Sequence, residues 1–274
     1  MREIKEELII DKIHESLIAM SEGLPKEVID RFKKAYQDES DERSKHILEQ
    51  LIENAEVAKT KHLPICQDTG IVVIFLKVGY DLHFAYDLYA AINKGVSKAY
   101  KEGYLRKSVV KDPLNRINTN DNTPAVIHTE LVKGDKLEIS IMMKGAGSEN
   151  MSSLKMFKPT ASFDDIKDYV LDVVKTASGK ACPPLIIGLG IGGDFEEAPM
   201  LAKKALLRDL DEAKSKEEEE IEEEVNKLDI GPLGFGGKTT CLGVKIETYP
   251  CHIASLPVAV NLQCHAVRHR KVVI

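Results

Sequence analysis

The residues with the most chemistry to offer are five cysteines, at positions 66, 182, 241, 251 and 264. A thiolate can act as a nucleophile or a soft metal ligand, whereas a buried thiol is a small apolar filler. The number is odd and no two stand in a Cys-x-x-Cys pair, which argues against a zinc ribbon, a ferredoxin-type cluster or a disulfide framework. Cys241 lies in the strand-like run Thr239-Thr240-Cys241-Leu242-Gly243-Val244, where a core filler is the natural role, and Cys251 after Pro250 is ambiguous. The other three have unusual neighbours. Cys66 stands in Pro64-Ile65-Cys66-Gln67-Asp68-Thr69-Gly70, a polar turn. Cys182 precedes Pro183-Pro184, which keep it off any helix, and Cys264 ends an apolar run and is followed by His265 and Arg268. Each is expected at a turn or strand end, where distant segments can converge. Spacing alone leaves fillers, ligands and a nucleophile all open.

Two glycine-rich stretches suggest nucleotides but fit them poorly. Gly188-Leu-Gly190-Ile-Gly192-Gly193 satisfies G-x-G-x-x-G between a strand and a helix, yet the helix runs into an acidic stretch rather than visibly returning to a second strand with a ribose-binding acid. Gly231-Pro-Leu-Gly-Phe-Gly-Gly237-Lys238-Thr239 resembles a phosphate loop with Pro232 where the first glycine belongs, and proline lacks the N–H such a cradle uses. It is expected to be a tight turn that places main chain, and Lys238, near a ligand.

The elements that must position these residues follow from periodicity. Ile4, Leu8, Ile9, Ile13 and Leu17 recur on one helical face, Pro25 opens a second helix, and a third runs from about Asp41 to Lys59. Strands are expected over Ile71–Val78, Ala125–Leu131, Lys136–Met143, Leu185–Ile191, Thr239–Ile246 and Leu256–Gln263. Helices are expected over Ala85–Glu102 and Phe163–Ser178, with one long helix from Phe195 to about Lys227 whose run Lys216–Glu220 is a solvated face. Asn118, Thr119 and Asn122 lie in a polar loop suited to lining a pocket. Helices and strands interleave without a repeating βαβ period, so the expected class is α+β, mixed sheets with surrounding helices. Residues 1–62 are expected to be a helical region packed on the same domain, with 63–274 the α+β domain that carries the chemistry.

Bulk properties narrow the classes. A formal charge of −6 over 274 residues argues against sequence-independent nucleic-acid binding. No apolar run approaches a membrane span, and the acidic start Met1-Arg2-Glu3-Ile4-Lys5-Glu6-Glu7 lacks a signal-peptide core, so a cytoplasmic protein is expected. Arg268-His269-Arg270-Lys271 reads either as a basic patch for an anion or as a solvated tail.

Taken in order, Leu63-Pro-Ile-Cys66-Gln67-Asp68-Thr69-Gly70, Lys144-Gly-Ala-Gly147-Ser148-Glu-Asn150, Ala181-Cys182-Pro183-Pro184, Gly236-Gly237-Lys238-Thr239-Thr240 and Asn261-Leu-Gln-Cys264-His265-Ala266 resemble the class I fumarases and the related L(+)-tartrate dehydratases. The resemblance covers nearly the whole chain from about residue 10. It implies a [4Fe–4S] cluster on Cys66, Cys182 and Cys264 with one iron left open as a Lewis acid, and it leaves Cys251 a neighbour of the site. It further implies acid–base work for Asp68, carboxylate binding by Arg106 and Gln67, a place at the site for His252, and substrate contacts from main-chain N–H groups at Gly145 and Gly147.

The implied activity is reversible hydration of fumarate to malate by an alpha subunit. L(+)-tartrate dehydration is the close alternative, and a non-enzymatic iron–sulfur redox or sensing module is a remote one. The single-chain members of the family carry a second domain, whereas this sequence stops at Ile274, ten residues past Cys264. A separate beta subunit is therefore expected to complete the site, in an assembly such as a heterotetramer acting on a small dicarboxylate.

Overall fold

The computed structural model describes residues 1–274, and they divide into two compact units. The first comprises Met1–Leu24, Ala55–Gly145 and Arg268–Ile274. A four-stranded sheet carries it, ordered β10-β5-β2-β4, with β2 Ile71–Gly79 parallel to β4 Val126–Val132 and antiparallel to β5 Leu137–Lys144. The edge strand β10, His269–Val273, runs antiparallel to β5, and the short β1 Arg2–Glu3 and β3 Leu82–His83 pair separately. Alternation does the sorting: Val72, Ile74 and Leu76 of β2 and Leu137, Ile139, Ile141 and Met143 of β5 turn to one face. There they meet Ile9, Ile13 and Leu17 of α1, Glu6–Ser21, and Ile92, Val96, Ala99 and Tyr100 of α4, Leu88–Glu102. Asp87 starts α4 by accepting from the Tyr89 and Ala90 main-chain N–H groups.

The second unit comprises Pro25–Asn54 and Ala146–Val267. It holds α2 Lys26–Asp38, the larger part of α3 Glu42–Lys61, the short α5 Ala146–Glu149 and α6 Phe163–Ala177. Its sheet is ordered β6-β9-β7-β8, where β7 Leu185–Gly192 is parallel to β8 Cys241–Tyr249 and antiparallel to β9 Leu256–Gln263. At the edge, β6 Ser153–Phe157 pairs antiparallel with β9. The class is α+β, with helices around mixed sheets.

Three expectations change. The single long helix after Phe195 is two, α7 Glu197–Ala205 and α8 Lys216–Asn226. Leu206 and Leu210 between them are buried, and Ser215 opens α8 with a capping box in which its hydroxyl accepts from the Glu218 N–H while the Glu218 carboxylate accepts from the Ser215 N–H. The acidic run is mostly solvated, but Glu218 is buried and also accepts from the Ile246 N–H at 2.8 Å and from Arg208 at 2.9 Å. Finally, the basic tail is no loose end, because Arg268 is buried and residues 269–273 form an edge strand on which Arg270 and Lys271 stay exposed.

The chain does return in parallel from β7 through α7 and α8 to β8, the connection that sequence reading did not foresee. The glycines of β7 nevertheless serve packing. A Cβ on Gly188 or Gly190 would stand 2.1 Å or 2.0 Å from the carbonyl oxygens of Ala202 and Ala198 in α7, so only hydrogen lets that helix lie flat on the strand. Gly190→Ala is expected to lower stability by about 1–3 kcal/mol, as overpacking does. Gly23→Ala, which meets nothing within 4 Å, should leave the urea midpoint nearly unmoved. Equal midpoints for the two variants would contradict this packing account.

Candidate active site

In the first unit the Cys66–Gly70 turn is fixed from several directions. Buried Ile65 anchors its start and donates its N–H to the Ser21 carbonyl at 2.9 Å. Asp68 Oδ1 accepts from the Gly70 N–H at 3.0 Å, an Asx turn. Gly70 has φ +77°, and a Cβ there would lie 2.7 Å from the Lys144 carbonyl oxygen, so both conformation and space require glycine. The wholly buried Tyr100 hydroxyl lies 2.8 Å from the Thr69 carbonyl and 3.0 Å from the Gly70 carbonyl and donates between them. Burial raises the Tyr100 phenol well above its ordinary pKa, so it remains a proton donor there.

The same turn is tied to the loop that carries Arg106. Thr69, itself buried, donates its hydroxyl to the Arg106 carbonyl at 2.8 Å. Buried Asn122 donates its amide to the Gly70 carbonyl at 3.2 Å, while its oxygen accepts from the Ser108 N–H at 2.7 Å and the Val109 N–H at 3.3 Å. Asn122 therefore holds main chain together and does not line a pocket. Asn118 likewise donates its amide to the Lys107 carbonyl at 2.8 Å. Arg106 follows α4 closely: Gly103 caps the helix, buried Leu105 turns inward, and the Arg106 side chain stays exposed. Gln67 is exposed and accepts from the half-buried Cys66 thiol at 3.5 Å, and Asp68 is half-buried. Acid, amide and guanidinium thus project from one braced backbone.

In the second unit Cys182 is exposed, in the left-handed region at φ 54°, and caps the short 3-10 turn Ser178–Ala181. Its carbonyl accepts from the His265 N–H at 3.2 Å and lies 3.1 Å from His265 Nδ1, so the residue after Cys264 clamps the Cys182 turn. Behind that turn sits the glycine-rich loop, where the Leu233 N–H donates to the Pro183 carbonyl at 2.8 Å. Cys264 is half-buried and its sulfur accepts from the Gln263 amide at 3.8 Å. His252 is exposed, with Nδ1 accepting from the Ala254 N–H at 3.1 Å, which leaves the ring proton of the neutral form on Nε2. Lys238 donates its ammonium to the Asp38 carbonyl at 2.9 Å, and its N–H goes to buried Glu39 at 2.8 Å. Gly145 is buried and belongs to the first unit, whereas Gly147 is exposed on α5 of the second.

The thiols divide by environment. Cys241 is buried in β8, and desolvation pushes its thiol well above the ordinary value, an environment that suits a filler better than a ligand. Cys66, Cys182 and Cys264 form no disulfide, are at least partly exposed and lie on main chain held by neighbours, and thiols of that kind suit iron and sulfide. Cys251 is also exposed, with its thiol donating to the Ser255 carbonyl at 3.4 Å. Within neither unit do three or more His, Cys, Asp or Glu side chains gather closely enough to hold a metal ion. No helix is long and apolar enough to cross a membrane.

Sequence reading singled out the cysteines and noted His265 and Arg268 beside Cys264, but it missed Tyr100 and the main-chain bonds through which these residues brace the turns. The available signals were a tyrosine on the apolar face of α4, beside Val96 and Ala99, and a histidine adjoining a cysteine.

Residues 10–273 match the family described as "Fumarate hydratase (Fumerase)". Among curated proteins, the chain is 43% identical to the "Putative L(+)-tartrate dehydratase subunit alpha" of Methanocaldococcus jannaschii, over 89% of this chain and 90% of that one. It is 31% identical to the "L(+)-tartrate dehydratase subunit alpha" of Escherichia coli strain UTI89 and to that of Shigella boydii, in each case over 91% of this chain and 85% of the relative.

Proposed function

The chain belongs to the fumarate hydratase (Fumerase) family, and on that premise we propose that it is the alpha subunit of an iron–sulfur hydro-lyase that interconverts fumarate and malate. The observation that carries this reading is the bracing of the Cys66–Gly70 turn onto the Arg106 loop by Thr69, Tyr100 and Asn122, which holds a carboxylate and a carboxylate-binding cation on one frame. A [4Fe–4S] cluster would be held by Cys66, Cys182 and Cys264. When bound, it supplies a Lewis acid toward the substrate hydroxyl through an iron that lacks a protein ligand.

The chain's own residues would do the rest. Asp68 holds and returns the proton of the departing hydroxyl. Arg106, with two parallel N–H donors, grips one substrate carboxylate, and Gln67 adds an amide donor. Main-chain N–H groups at Gly145 and Gly147 approach the substrate without an intervening side chain. His252 presents its Nε2–H as a neutral donor, and Lys238 is a further cation for a carboxylate once released from Asp38. The proton on carbon is taken by a group of a separate beta subunit, in a heteromeric cytoplasmic enzyme.

The names of the aligned relatives favour a second reading, in which the substrate is L(+)-tartrate. The two differ by one hydroxyl on the carbon that loses its proton. Anaerobic co-production with a candidate beta subunit, followed by parallel assays on fumarate, malate and L(+)-tartrate, decides between them. Turnover is expected only in the assembled, iron-loaded enzyme. A brown assembled protein inactive on all three would favour a redox or sensing module instead.

A further inference from the structure

Arg268 is the largest of the fully buried side chains, at 2% exposure, and it lies on the main chain immediately before β10. Its carbonyl accepts from the Met143 N–H at 2.9 Å, which fixes its backbone to β5. Its Nη1 donates to the Asp68 carbonyl at 2.8 Å, across 200 residues of sequence. A Cβ on Gly145 would stand 3.3 Å from Asp68 Oδ2 and 3.8 Å from Arg268 Nη2, so the Asp68 carboxylate and the guanidinium border the same glycine. Arg268 Nε, although buried, has no hydrogen-bond partner.

Burying a guanidinium is costly, and a fold that needed only one donor to a carbonyl could use a neutral side chain. The charge is nevertheless sealed at the residue that carries the proposed acid. We infer that Arg268 is a positioning residue for the reaction, holding Asp68 at its working place by gripping its main chain from behind while the absent Cβ of Gly145 leaves the carboxylate room. The inference rests on the reading of Asp68 as the proton-handling group. Arg268 touches no substrate atom in this scheme. It acts through the Asp68 backbone, and the Gly70 N–H bond to Asp68 Oδ1 passes that restraint on to the side chain.

The test uses Arg268→Met and Arg268→Lys in the assembled, iron-loaded enzyme. Arg268→Met is expected to lower kcat by about 100-fold, the scale of a 1 Å misplacement of a catalytic group. KM should stay within about threefold and iron content should match wild type, a split that mere loss of fold or cluster would not give. Arg268→Lys restores one donor and should recover about a tenth of wild-type kcat on the same scale. If Arg268→Met fails to fold, Arg268→Lys alone decides: the drop in kcat at constant KM supports the inference, and wild-type kcat overturns it. A loss of iron parallel to the loss of kcat also overturns it, by making Arg268 a support of the cluster. Deuterium exchange at the Gly70 amide of the cluster-free chain gives a readout without turnover. It should rise in Arg268→Met and lie between in Arg268→Lys, and unchanged exchange counts against the inference. Asp68→Asn run alongside separates the two failures, because undiminished turnover there removes the Asp68 reading itself, whatever Arg268 does.

Discussion

Serine in place of Cys66, Cys182 or Cys264, one position at a time, is expected to leave an anaerobically reconstituted protein colourless or nearly so, while Cys241→Ser stays brown. The argument is one of ligand chemistry. Soft thiolates select iron–sulfur clusters, and a serine hydroxyl is a harder, far more basic donor in the same place. With only three protein thiols proposed for four irons, no spare ligand compensates for a loss. Cys241 differs because its burial holds the thiol protonated, far from the state a ligand needs. Cys251 supplies the sharper control. Like Cys182 it is exposed, so accessibility alone would not separate the two. Retention of iron by Cys251→Ser, with loss in Cys182→Ser, would separate a ligand from an accessible neighbour. Iron and sulfide per chain, with the visible absorption of the cluster, are the measurements. Equal losses across all five positions would reject the assigned set.

What could be read from the sequence depended on whether the cause was local. The strand Leu256–Gln263 emerges with the same limits as expected because an apolar run ends on polar residues, and the helix Phe163–Ala177 has the expected start because Ser162 and Asp165 form a capping box. The break between α7 and α8 was hidden: helix-forming residues span it, and the turn is set by Leu206 and Leu210 reaching a core known only from the fold. Strand β10 was misread because its charged residues lie on a sheet edge, where Lys271 pairs with Glu138 at 2.8 Å across to β5. At the candidate site the contrast is similar. Cys66, Cys182 and Cys264 stand out in short motifs, but their bracing does not, since Tyr100, Asn122 and Arg268 grip main-chain atoms 31, 52 and 200 residues away. A carbonyl carries no side-chain signature, so sequence pattern cannot mark its partner.

For Asp68→Asn, the expected result is normal colour, normal iron and a fall in kcat of about 10²–10⁴-fold, the usual contribution of a positioned acid–base group. The substitution is informative because of what it keeps. Asp68 Oδ1 accepts from the Gly70 N–H, and an asparagine carbonyl oxygen can accept the same bond at the same place. The Arg268 bond goes to the Asp68 carbonyl of the main chain, which the substitution does not touch. Tyr100 and Asn122 hold the Thr69 and Gly70 carbonyls, which are also unchanged. The turn that presents Cys66 should therefore survive, and the property removed is the capacity to exchange a proton. Asp68→Ala removes the Asx turn as well, so it should lose stability and cluster in addition to turnover. If Asp68→Asn turned over at the wild-type rate while Asp68→Ala lost its iron, the carboxylate would be a turn-former only, and the proton on the departing hydroxyl would have to be handled elsewhere. If Asp68→Asn kept its iron and lost turnover while Asp68→Ala lost both, the division of labour proposed for the turn would hold, with Cys66 for the metal, Asp68 for the proton and Gly70 for the space between.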